Sequence, residues 1–116
     1  MIGTAIIETH ALHATYCSAV AFAGDDILVA ASDVHFASEG GLYRRRIVDG
    51  DSKLARVRGG LPEWCAGIID THCIATQGES VAAVDHGGNL YSSRDAGRTW
   101  HRAAAGLENP SSVLIA

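Results

Sequence analysis

The chain has 116 residues, of which 47% are hydrophobic and 19% charged, and its formal net charge is −4. That length is one domain, and the composition is too apolar for a disordered chain. Nine Lys and Arg against thirteen Asp and Glu argue against a surface built to neutralise phosphates, so no nucleic-acid partner is expected.

The first segment, Met1-Ile2-Gly3-Thr4-Ala5-Ile6-Ile7, lacks the basic region and long apolar core of a secretory signal. Residues 2–7 read instead as an extra strand. The run Ile27-Leu28-Val29-Ala30-Ala31 is about the longest uninterrupted apolar stretch, far short of the roughly 20 residues of a membrane-spanning helix. Cys17, Cys65 and Cys73 are an odd number of cysteines, which fits free thiols in a reducing interior better than a secreted disulfide framework. The expectation is a cytoplasmic protein with no membrane partner.

His10 and His13 have the spacing of a metal pair but lack the glutamate of a hydrolytic zinc motif. Cys65, His72 and Cys73 are the other ligand-type residues, and nothing in the spacing makes the two groups converge. Asp49-Gly50-Asp51-Ser52 opens like a calcium loop, but Lys53 stands where the next ligand is needed. No metal and no cofactor are expected.

The organising feature is an internal repeat. Gly40-Gly41-Leu42-Tyr43 recurs as Gly87-Gly88-Asn89-Leu90-Tyr91, with Leu-Tyr displaced by 48 positions. Upstream, Ala23-Gly24-Asp25-Asp26-Ile27-Leu28 matches Gln77-Gly78-Glu79-Ser80-Val81-Ala82 at a displacement of 54. The first copy therefore carries an insertion at residues 32–39. Downstream, Gly60-Leu61 matches Gly106-Leu107 at a displacement of 46.

Each copy consists of short apolar runs separated by Gly/Asp turns, a pattern of β-strands. Residues 20–22, 27–31, 42–43 and 54–57 are the strands of the first copy. Residues 73–75, 81–84, 90–91 and 100–103 are those of the second. No stretch carries a capped helical period. Three consecutive arginines, Arg44, Arg45 and Arg46, alternate between the two faces of one strand. They read as a solvated edge guarded against stray pairing.

Ser93-Arg94-Asp95-Ala96-Gly97-Arg98-Thr99-Trp100 has the pattern S-x-D-x-G-x-T-W. It resembles the Asp-box, or BNR repeat, of sialidase-like β-propellers, and it follows a Gly-x-Leu-Tyr strand as in that family. The second copy carries the resemblance in full. In the first copy Leu54 stands where the second has Trp100, so the box chemistry is gone and an apolar anchor is kept.

The resemblance implies a structural turn between the two outer strands of a blade. Asp95 would accept bonds from amides of its own turn, as Asx turns do. Gly97 would take a positive φ. Thr99 would start the last strand, with Ser93 before the turn, and Trp100 would bury its ring.

The expected fold is all-β: two four-stranded propeller blades, about residues 17–62 and 71–109, with terminal strands at 2–7 and 111–115 and a link at 61–67. Two blades leave faces that need neighbours. The chain is expected either to assemble as a homo-oligomer, a trimer first, or to belong to a longer propeller.

The expected function is a non-catalytic interaction module for a protein or glycan, and no catalytic residue is assigned. The insertion supplies the candidate binding loop, with Asp33, His35, Phe36 and Glu39, since loops on a rigid scaffold often bind. The alternative is a sialidase-like glycoside hydrolase fragment, or a carbohydrate site formed between chains. Glu39, Glu63 and Asp70 are its candidate carboxylates.

Overall fold

The computed structural model describes residues 16–33, 38–48 and 54–115. Among them there is no α-helix. They form two antiparallel sheets that follow the two copies of the repeat. The first has the order β1 (Tyr16–Ala23), β2 (Asp26–Ser32), β3 (Glu39–Arg46) and β4 (Ala55–Arg56). β5 (Cys65–Ala66) also pairs with β3. The second has the order β6 (Ile74–Gln77), β7 (Ser80–Val84), β8 (Leu90–Ser93) and β9 (His101–Ala104). β5 apart, strands next to each other in each copy pair in chain order, as the alternation of apolar runs and Gly/Asp turns predicts.

Register fixes which side chains meet. In the first sheet Phe22 faces Ile27, and Val29 stands opposite both Val20 and Tyr43. In the second, Ile74, Ala83, Tyr91 and Arg102 lie in one row, and Ala75, Ala82, Ser92 and His101 in the next. Because the side-chain period is two, neighbouring rows face opposite sides. The main core lies between the sheets. Ala19, Ala23, Leu28, Ala30, Leu42 and Val57 of the first pack with Ile74, Val81, Ala83, Tyr91, Ala96 and Trp100 of the second. A second buried cluster, Ile27, Val29, Ala31, Tyr43 and Leu54, forms on the other face of the first sheet.

Several expectations are corrected. Residues 111–115 form no strand. The Val113 amide donates to His72 O at 2.9 Å, so this segment is tied to the turn before β6 and joins no ladder. The link expected at 61–67 contains β5, held by Glu39↔Ala66 and Gly40↔Cys65 pairing. Cys73 ends a 3-10 turn (Thr71–Cys73) and does not begin a strand. Asp26 is no turn residue: it is fully buried at the start of β2, and Arg44 pairs with it. The expected edge is corrected too: the arginines lie on β3, an interior strand between β2 and β4, and Arg44 turns to Asp26 because a buried carboxylate needs a compensating charge. Residues 2–7, His10, His13 and residues 49–53 lie outside the described residues. No helix among the described residues is long and apolar enough to cross a membrane.

Candidate functional site

Strand direction sorts the turns to two ends of the molecule. At one end lie the turn at Gly24-Asp25, the turn at Gly78-Glu79 and the turn from Ser93 to Trp100. Two backbone bonds tie them together, Gly24 N to Gly78 O and Ala96 N to Glu79 O, at 2.9 and 2.8 Å. At the other end lie the end of β2, the start of β3, the turn at residues 85–89 and the link at residues 65–73. There His86 N donates to Ile68 O and Gly87 N to Ala66 O, at 3.2 and 2.7 Å.

The turn from Ser93 to Trp100 is internally bonded. Thr99 N donates to Asp95 Oδ1 at 2.8 Å and Thr99 Oγ1 to Asp95 Oδ2 at 2.5 Å. Ser93 Oγ donates to Asp95 Oδ1 at 2.8 Å and accepts from Gly97 N at 2.9 Å. The two bonds from Thr99 hold the Asp95 carboxyl down at about 2. Ala96 and Gly97 have φ of 61° and 86°, so the chain reverses through two left-handed residues. Trp100 Nε1 donates to Gly97 O at 2.7 Å, and its ring is buried in the main core.

The same turn reaches across to the first sheet, which the sequence reading did not anticipate. Trp100 N donates to Gly59 O at 2.7 Å. Gly59 and Thr99 form a parallel bridge. Arg98 Nη2 lies 3.6 Å from Asp26 Oδ2. A Cβ on Gly97 would come within 2.9 Å of Leu28 Cδ2. Thr99 thus bridges between sheets, and β9 begins only at His101.

The opposite end is built on Asp85, fully buried after β7. Its Oδ2 accepts from Ala66 N and its Oδ1 from Asn89 N, each at 3.0 Å, and Asn89 Nδ2 lies 3.2 Å from both oxygens. One carboxylate so clamps the link to the β7–β8 turn, and buried carboxylates need such donors. His86 follows directly. Its Nε2 is 2.5 Å from Asp70 Oδ2, and both side chains are partly exposed. A carboxylate–imidazole pair at a surface offers hydrogen-bond donors and acceptors side by side.

Of the loop residues expected to bind, Asp33 and Glu39 are exposed at this same end, and Glu39 opposes Ala66. His35 and Phe36 lie outside the described residues. Nearby, the Arg56 guanidinium stacks 3.7 Å from the centroid of the Trp64 ring. Burial, with the Asp85 charge beside it, pushes the Cys65 thiol up to about 12; such a thiol is inert as a nucleophile at neutral pH. All three cysteines are free.

Arg44, Arg45 and Arg46 occupy the far end of β3 from Asp70 and His86, and Arg44 is engaged by Asp26. A shallow depression of about 380 Å³, lined by Gly60, Leu61, Pro62, Tyr91 and Arg102, lies between the sheets. Among the described residues no three His, Cys, Asp or Glu side chains are grouped to hold a metal ion.

The sequence reading missed Asp85 and His86. The signal was present in Asp85-His86-Gly87-Gly88-Asn89, where Asp opens a Gly-containing turn. A scan against protein-family models and a search of curated proteins found no match to the chain.

Proposed function

We propose that the two sheets are successive blades of an Asp-box β-propeller and that the chain is a non-catalytic interaction module. Its partner, a protein or a glycan, is taken at the end that carries Asp33, Glu39, Asp70 and His86. One observation supports this reading most. Asp70 and His86, paired at 2.5 Å, stay partly exposed on a backbone that Asp85 clamps, and Asp33 and Glu39 are exposed at the same end. Polar groups fixed by packed strands and left open to water are what a recognition surface requires. Three chains of two blades each would close a six-bladed ring, and four an eight-bladed one.

The second reading, a sialidase-like glycoside hydrolase or a carbohydrate site between chains, has the Asp70–His86 pair in its favour. Printed glycans and immobilised protein extracts, each followed by assay with fluorogenic sialosides and glycosides, separate the two. The module reading expects retention of a partner without turnover, lost in Asp70→Asn combined with His86→Ala. Hydrolysis in proportion to protein, abolished by Asp70→Asn, would establish the enzyme.

A further inference from the structure

The two copies of the repeat place an arginine alike, and only one of the two arginines has a ring stacked on it. In the first sheet Arg56 of β4 stands opposite Tyr43. In the second, Arg102 of β9 stands opposite Tyr91. Directly opposed residues share one face of a sheet, so each arginine lies beside a tyrosine. Arg56 is half-buried, and its guanidinium lies 3.7 Å from the centroid of the Trp64 ring. That ring sits over Gly41, where a Cβ would meet Trp64 Cζ3 at 3.4 Å and Tyr43 Cε1 at 3.3 Å. Arginine, tyrosine and indole form one packed group, with the cation attracted to the π face of the ring.

The second copy lacks the indole. At the displacement of 46 that relates Gly60-Leu61 to Gly106-Leu107, Trp64 falls on Pro110. Arg102 is exposed, and among the described residues it has no ion pair, hydrogen bond or stacked ring. Beside it lies the depression of about 380 Å³, walled by Gly60, Leu61, Pro62, Tyr91 and Arg102. Its volume is at the small end of the range for small-molecule sites. Leu61, Pro62 and the Tyr91 ring supply apolar wall, and Arg102 is its one charged group. The wall is fixed in place: Gly59 O accepts from Trp100 N at 2.7 Å, and a Cβ on Gly60 would collide with Trp100 O. A site built in advance loses little freedom on binding.

We propose that this depression binds a neutral or anionic planar aromatic group, which stacks on Arg102 as Trp64 stacks on Arg56. The guanidinium attracts the π face of such a ring and repels a cationic one. Burial pushes the Tyr91 phenol up, so it stays uncharged at neutral pH and adds no repulsion toward an anionic ligand. The ring is carried either by a free heterocycle or by the tryptophan side chain of a partner. The site is separate from the surface at Asp33, Glu39, Asp70 and His86, and does not depend on it.

The test is a titration of the labelled full chain, followed by its backbone amide shifts. The probes are indole, a free ring, and N-acetyl-tryptophanamide, the same ring on a peptide backbone. Shifts are expected at Gly60, Leu61, Tyr91 and Arg102, saturating at millimolar probe. Shifts from both probes support a ring from either source, and shifts from indole alone support the free heterocycle. Arg102→Ala is expected to weaken indole binding by about 2- to 30-fold, the range a cation–π contact is worth. Arg102→Gln takes its place should the alanine variant lose its dispersed spectrum. Arg56→Ala, in the site that Trp64 already fills, is expected to leave indole affinity unchanged. Two results would overturn the proposal: no shift at these four residues, or equal affinity in the wild type and the Arg102 variant. Shifts confined to Asp70 and His86 would also overturn it, while leaving the surface proposed above standing.

Discussion

The indole Nε1 of Trp100 donates to the carbonyl oxygen of Gly97 at 2.7 Å, a bond that closes the Ser93–Trp100 turn on itself. It fixes the ring in the core while Gly97 lies under Leu28. Trp100→Ala is expected to cost about 3–5 kcal/mol, the range for truncating a buried aromatic. Gly97→Ala is expected to cost about 1–3 kcal/mol, since φ of 86° strains an alanine and the new methyl meets Leu28. Urea melts measure both. A Trp100→Ala protein within about 0.5 kcal/mol of wild type, the size of a surface effect, would remove the turn from the core.

The Asp95 carboxyl gives the fold an acid limit. Its folded pKa is lowered to about 2 from 3.8 by the Thr99 and Ser93 bonds. A lowered carboxyl pKa contributes stability that is fully present above the unfolded value and lost as pH falls through the folded one. Asp95→Asn is therefore expected to flatten the dependence of melting temperature on pH between 4 and about 2, and to leave its shape near neutrality unchanged. Thermal melts across that range check it. The Asn variant retaining the wild-type acid slope would assign that slope to other carboxylates.

Asp26 is a fully buried carboxylate with Arg44 beside it and Arg98 at 3.6 Å. Arg44→Ala leaves that charge with one distant partner and is expected to destabilise by about 3–5 kcal/mol. Arg46→Ala, at the exposed end of the same strand, is expected to change stability by less than about 0.5 kcal/mol. Chemical denaturation of the pair measures the contrast, and equal effects would contradict it.

Apart from β5, the strands of each copy, their order and the bonding of Asp95 within its own turn were legible in the sequence. They depend on local signals: alternating apolar runs, Gly/Asp turns, and a motif whose side chains bond within eight residues. What lay between the copies was not legible. Asp26 looked like a turn residue because Gly24-Asp25-Asp26 is turn-like in composition, and only its burial and its pairing with Arg44, 18 positions away, distinguish it. Asp85 and His86 were missed for the same reason. Their partners, Ala66 and Asp70, are 19 and 16 positions distant, beyond any periodic pattern. The terminal strand expected at 111–115 failed because an apolar run does not by itself supply a neighbouring strand edge.

The proposed partner is held at the end carrying Asp33, Glu39, Asp70 and His86, away from the Ser93–Trp100 turn. Backbone amide chemical-shift mapping tests it most directly, with the partner retained on the glycan or protein support added to labelled protein. Shifts are expected to concentrate at residue 33, at 38–40, and along 65–73 and 85–89, with the Ser93–Trp100 turn unmoved. Shifts centred instead on that turn and on Gly24 and Gly78 would contradict it.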